Sequence, residues 1–146
     1  IIVAYSLLPN DLAKKFDFKA PSINLRIKSL KKLTSLGWQI GLRFDPLIYE
    51  KNWKISYKNL IITLLDEVNI NYIHSVSFGS LRFPKQIFNK ITNMYPGDEL
   101  FSNYFEKRDN VFSYKDEVEK EMILYCKNLI TKNVKKDIQI FSCKSY

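Results

Sequence analysis

Histidine occurs once, cysteine twice and arginine four times in these 146 residues, and each scarcity closes off a class of chemistry. Two cysteines, Cys126 and Cys143, cannot by themselves complete a tetrahedral metal site or hold an iron–sulfur cluster. His74 has no cysteine or carboxylate at ligand spacing, so a packed or surface imidazole is expected. No Gly-rich phosphate loop, HExxH motif or nucleophile elbow occurs. The longest nearly uncharged apolar run, Leu60 to Leu65, falls far short of the roughly 20 residues that span a bilayer, so no membrane partner is expected. The chain opens on Ile1-Ile2-Val3-Ala4-Tyr5-Ser6, strand-like and without an initiator Met or a basic leader. It is therefore expected to be a fragment of something longer, in a reducing cytoplasm where its thiols stay free.

What is present describes one globular domain over residues 1–146, with 46% hydrophobic and 26% charged residues. The net charge of +8 invites a nucleic-acid reading, since clustered cations neutralise phosphates and release counterions. Charge alone is weak support, because nearly all the cations are lysines in a chain also rich in Ile and Asn. The few arginines are more informative. Arg43 and Arg82 both fall at strand ends.

Hydrophobic periodicity gives the order of elements. Residues 1–7 form a strand, and a turn at Leu8-Pro9-Asn10-Asp11 leads to a short helix ending near Phe16, with Asn10 or Asp11 as its cap. Ser22 caps a second helix whose stripe is Ile23, Ile27, Leu30 and Leu33, and Gly37 ends it. A strand follows from Gln39 to Asp45, stopped by Pro46. Tyr57, Leu60, Ile61, Leu64, Leu65 and Val68 mark the clearest helix. A third strand spans Tyr72 to Phe78, and Pro84 opens a helix with Ile87, Phe88, Ile91 and Met94 on its buried side. Leu100 to Phe105 and Val111 to Tyr114 flank Lys107-Arg108-Asp109-Asn110 as a β-hairpin with a charged tip. A long helix over Asp116 to Thr131 buries Cys126, and a strand over Ile138 to Ser142 ends the chain.

Three strand–helix units in succession require a parallel sheet with right-handed crossovers. Alternate strand residues point to opposite faces. One phase holds Val3, Tyr5, Leu42, Phe44, Val76 and Phe78, and suits packing on helices. The other holds Ala4, Ser6, Gly41, Arg43, Asp45, Ser75, Ser77 and Gly79, and becomes polar toward the strand C-termini. A doubly wound sheet needs apolar residues on both faces. A barrel places one face in its lumen and its ligands at the C-terminal rim, which favours a barrel segment.

The motifs Val3-Ala4-Tyr5-Ser6-Leu7, Pro21-Ser22 with Arg26-Ile27, Gly41-Leu42-Arg43-Phe44-Asp45-Pro46-Leu47-Ile48, Trp53 with Tyr57, and Ser77-Phe78-Gly79-Ser80-Leu81-Arg82-Phe83-Pro84 recur in a known order. With the hairpin before the last long helix, they make the chain resemble the C-terminal part of the spore photoproduct lyase family of radical S-adenosylmethionine enzymes. The resemblance implies an α/β fold: the C-terminal half of a partial (βα)6 TIM-type barrel, as three parallel βα units plus a β-hairpin, a long helix and a last strand. It also implies a [4Fe–4S] cluster and S-adenosylmethionine, used for radical repair of thymine-dimer-type lesions in DNA. The family's Cys-x3-Cys-x2-Cys motif is absent from these residues, so this chain alone is not expected to catalyse.

Carried onto this sequence, the resemblance assigns Ser6 to S-adenosylmethionine, and Arg43 and Asp45 would line the lumen beside it. Arg43 and Asp45 also suit a mutual structural ion pair. Arg82 would meet a phosphate or carboxylate at the rim, and the hairpin residues Lys107, Arg108, Tyr114 and Lys115 would face DNA. The alternatives are another substrate on the same radical scaffold, or a non-catalytic binding or structural remnant.

Overall fold

The computed structural model describes residues 1–101 and 104–143. Its centre is a four-stranded parallel sheet in the order β1-β2-β3-β7, built from β1 (Ile2–Ser6), β2 (Gln39–Leu47), β3 (Ile73–Ser80) and β7 (Gln139–Cys143). The helices α1 (Asn10–Phe16), α2 (Ile23–Ser35), α3 (Trp53–Glu67), α4 (Lys85–Met94) and α5 (Asp116–Asn133) fill the connections. A second, antiparallel sheet in the order β4-β6-β5 joins β4 (Arg82–Pro84), β5 (Phe105–Arg108) and β6 (Val111–Tyr114).

The parity read from the sequence sets the core. Leu42, Phe44, Val76 and Phe78 are wholly buried on the helix side, and the Phe44 and Phe78 rings stack at 5.4 Å. The α3 stripe meets them through Tyr57, Ile61 and Leu64, all buried. Tyr57 also accepts a 2.8 Å hydrogen bond from the Ile48 amide, which fixes the chain as it leaves β2. Burial holds the Tyr57 hydroxyl well above its ordinary pKa, so it stays neutral. On α5, Met122, Cys126 and Ile130 complete the layer, as the apolar spacing predicts. Burial pushes the Cys126 thiol up to about 12, which makes it an inert core group.

Several boundaries differ from expectation for local physical reasons. Ser22 does cap α2, accepting from the Leu25 amide, and Gly37 at φ 81 closes that helix in a Schellman motif. The cap expected of Asn10 or Asp11 is absent: Asn10 is already helical, and Pro9 precedes it with no side-chain cap. Pro46 does not stop β2. The strand runs on to Leu47 through a cis Asp45–Pro46 bond, and the pairing with β3 shifts between Phe44 and Leu47. Proline offers no amide hydrogen, so it fits a ladder only where the register is already broken. Arg82–Pro84, expected to lead directly into a helix, is first a strand paired with β6. The hairpin forms over Phe105–Arg108 and Val111–Tyr114, with Asp109 in its turn at φ 50. The first expected hairpin segment includes residues 102 and 103, which lie outside the described residues.

α4 and the small sheet form a satellite core around phenylalanines. Phe88 stacks on Phe112 at 4.1 Å, and Phe83, Phe101 and Phe105 surround the pair. Among the described residues, no helix is long and apolar enough to cross a membrane.

Candidate functional site

The concave face of the parallel sheet carries the chemistry. In register, Ala4 lies beside Gly41, Gly41 beside Ser75, Ser6 beside Arg43, and Arg43 beside Ser77. The Arg43 guanidinium folds back over Gly41, where a Cβ would lie 2.8 Å from its Nη2 and 3.1 Å from the Ala4 Cβ. Gly41 thus leaves the space that the Arg43 guanidinium occupies, and a larger residue there would displace it. Arg43 donates to Ser75 Oγ from both terminal nitrogens at 3.2 Å. Among the described residues it has no carboxylate within ion-pairing distance. It also donates to the Leu42 carbonyl at 3.4 Å, so its partners are a hydroxyl and a carbonyl, both neutral, and a half-buried cation held this way is suited to an anionic ligand.

Asp45 has a different partner from the one its spacing suggests. Its carboxylate lies across Gly79, where an added Cβ would sit 2.8 Å away, and meets Arg82 Nη1 and Nη2 at 3.3 Å each. Arg82 Nη1 also donates to the Ser80 carbonyl at 3.1 Å. The mutual Arg43–Asp45 pair is thus not formed. The observed pair ties the rim of β2 to β4, and so joins the two sheets.

Ser6 ends β1, and its carbonyl accepts a 2.8 Å hydrogen bond from Arg26 Nη1. Arg26 is 8% exposed, donates also to the Pro21 carbonyl, and forms an ion pair with Asp17. It pins β1, α2 and the connection after α1 together. In the sequence Arg26 stands only as part of the Arg26-Ile27 motif. Its signal was an arginine on a helix stripe that is otherwise apolar, at Ile23, Ile27 and Leu30.

Beyond the strand C-termini opens a cleft of about 660 Å³, lined by Ser6, Asp45, Pro46 and Asp17 at one side and by Leu81, Phe83 and Ile91 at another. Of the hairpin residues, Lys107 and Lys115 are exposed. Arg108 is not free to reach out: it is ion-paired with Glu106, Asp116 and the buried Glu119, and donates to the Tyr114 carbonyl at 2.9 Å. Tyr114 is 2% exposed and accepts from the Tyr49 amide at 2.9 Å. A buried ring has no face for a base, so the stacking expected of Tyr114 is corrected to a core role. Arg108 is likewise corrected to an anchor of the hairpin on α5. Cys143 shares the concave face, in register with Gly79, and His74 is half-buried with its Nδ1 unpartnered. Among the described residues, no group of three His, Cys, Asp or Glu side chains is placed to hold a metal.

A parallel α/β sheet with a helix-packed face and a polar face that opens at the strand C-termini defines a barrel-type scaffold. The family profile for spore photoproduct lyase matches residues 3–141, and the chain belongs to that family. A spore photoproduct lyase from Clostridium acetobutylicum is 24% identical over 98 residues, which is 67% of this chain and 29% of that protein. A solved spore photoproduct lyase in complex with dinucleoside spore photoproduct superposes with a TM-score of 0.73 at 18% identity, covering 97% of this chain and 43% of that one. A mutant of spore photoproduct lyase with bound AdoMet and dinucleoside spore photoproduct gives 0.72, again at 18% identity and with the same coverage. The fold expected from the sequence is therefore the fold observed. The chain spans less than half the length of these relatives.

Proposed function

We propose that this chain forms the substrate-side wall of a radical S-adenosylmethionine enzyme that repairs thymine-dimer-type lesions in DNA. The observation that carries the reading is Arg43: a lumen guanidinium beside Ser6, bonded to Ser75 and unpaired with any acid among the described residues. Membership of the spore photoproduct lyase family supports it.

The residues present fit S-adenosylmethionine in part. Arg43 would hold an amino-acid carboxylate, and the Ser6 hydroxyl would take a hydrogen bond at the end of β1. Asp45 is held by Arg82 and serves the rim rather than the cofactor's ammonium group. S-adenosylmethionine bound by Arg43 and Ser6 would supply hydrogen-abstraction chemistry toward the lesion, given one electron from a reductant outside these residues. The residues do not fit a [4Fe–4S] cluster, because Cys126 is buried on the helix side and Cys143 lies on the concave side. No step through a cluster is derived from them.

This chain's own work is binding and orientation. The apolar cleft takes the lesion out of water, Arg82 stands at its rim, and Lys107 and Lys115 offer cations to flanking phosphates. The test is anaerobic turnover of the intact protein with a reductant. Deoxyadenosine release that rises when lesion-bearing DNA is added is expected, together with reversal to thymines. Release that ignores DNA would transfer the scaffold to another substrate, and no release would point to a non-catalytic remnant. Arg43→Gln is expected to weaken S-adenosylmethionine binding about tenfold, the scale of one lost charge-assisted contact.

A further inference from the structure

We propose that Phe18 and Tyr95 form a stacking platform at the mouth of the cleft, for the bases on either side of an extruded lesion. This rests on the reading of function above and extends it to nucleotides outside the lesion itself.

Both rings line the cleft, yet Phe18 is 72% exposed and Tyr95 58% exposed. They come from separate elements: Phe18 from the connection between α1 and α2, and Tyr95 from the C-terminal cap of α4. Neither stacks on another aromatic ring among the described residues. An exposed flat ring at a cleft mouth is covered most completely by a flat partner laid on its face. Nucleobases meet that need whatever their sequence, because every base has a π-face.

The charge around the two rings selects the partner. Lys14, Lys15 and Lys19 lie within four residues of Phe18 along the chain, all of them exposed, and Lys15 lines the cleft with it. Lys85 and Lys90 project from α4, and no Asp or Glu occurs between Phe83 and Gly97. The acids that line the cleft are engaged elsewhere: Asp17 with Arg26, Asp45 with Arg82, and Asp98 with the Leu100 amide. Lys15 has a 3.8 Å contact with the exposed Glu99 and lies 5.3 Å from the centre of the Phe16 ring. The mouth therefore presents two exposed aromatic faces beside Lys15, with Asp17 and Asp45 held by arginines, in a chain of net charge +8, which suits a polyanion carrying stacked bases. Extruding a lesion breaks the stacking of its neighbours, and a platform at the mouth would restore it.

The experiment measures affinity of the intact protein for two probes: a fluorescent single-stranded 12-mer with a central thymine-dimer lesion, and the lesion dinucleotide alone as competitor. Phe18→Ala and Tyr95→Ala are each expected to weaken 12-mer binding about tenfold, in line with the loss of one stacked base, and dinucleotide binding less than twofold. Phe18→Trp and Tyr95→Trp should restore the 12-mer, and Phe18→Leu should not. Alanine variants that bind the 12-mer like the unmodified protein overturn the platform. So does an equal loss on both probes, which would place the rings in the lesion pocket. A lowered melting temperature with unchanged binding would mean that Phe18 is covered by protein, and also overturns it. If the unmodified protein binds neither probe, the reading of function fails first.

Discussion

The two faces of the parallel sheet share the same strands and differ in everything else. On the helix side Leu42, Phe44, Val76 and Phe78 are wholly buried in an apolar core shared with α2, α3 and α5. On the concave side the alternating residues are Arg43, Asp45, Ser75, Ser77 and two glycines that leave no space for a methyl group. Burial holds the first face together, at roughly 25 cal/mol for each Å² of apolar surface removed from water. The second is held by specific polar contacts and by close approach across Gly41 and Gly79. Stability and chemistry are thus separated by strand parity, one residue apart along the chain.

The largest expected contrast is between neighbours on β3. Phe78→Ala should cost about 3–5 kcal/mol in denaturant unfolding, from lost transfer energy and the cavity left behind. Ser77→Ala, on the concave side, should cost about 1 kcal/mol or less. Equal losses would erase the distinction between the faces. Next comes Gly79→Ala, where the new methyl would press on the Asp45 carboxylate and should cost about 1–3 kcal/mol as overpacking. If the strain lies there, the loss should shrink in an Asp45→Ala background, and a double-mutant cycle measures the difference.

The cysteines sharpen the same contrast through pH. Cys126 is raised to about 12 by burial, against an unfolded value of about 8.5. A folded-state pKa above the unfolded one gives stability that is complete below about pH 8.5 and is lost as pH rises toward 12. Unfolding measured from pH 7 to 10.5 should show this decline. Burial raises Tyr57 and Tyr114 as well, which adds a decline of the same sign at higher pH. At pH 8 a thiol reagent should label Cys143, on the concave side, well before Cys126. The smallest effect on stability is expected for Arg43→Gln, below about 1 kcal/mol, because its partners among the described residues are a serine hydroxyl and the Leu42 carbonyl, both neutral. A large loss would make Arg43 a structural residue and would remove the observation on which the proposed function rests.

Much of the fold was legible because its cause is local. The α3 stripe, the Ser22 cap, the Gly37 terminus and the two strand phases all follow from spacing along the chain. The less legible features depend on partners far away in sequence. Pro46 reads as a strand stop, and only the shifted pairing with β3 accommodates it. Tyr114 reads as an aromatic on a basic hairpin, and only the packing of the hairpin against Tyr49 shows that it is buried. Arg108 reads as a cation at a hairpin tip, until α5 brings Asp116 and Glu119 to it.

The sequence by itself determined which residues share the concave face, because side-chain direction in a strand alternates without regard to what lies beyond. It also placed Ser6, Asp45 and Arg82 near strand ends, and so near one rim, whereas Arg43, expected at a strand end, lies in the middle of β2 because that strand runs on to Leu47. Only the tertiary structure decided how the charges pair. Asp45 turns to Arg82 across Gly79, 37 residues away, and leaves Arg43 without an acid among the described residues. Ion pairing depends on separations of a few ångströms in space, and those distances exist only once the sheets have packed.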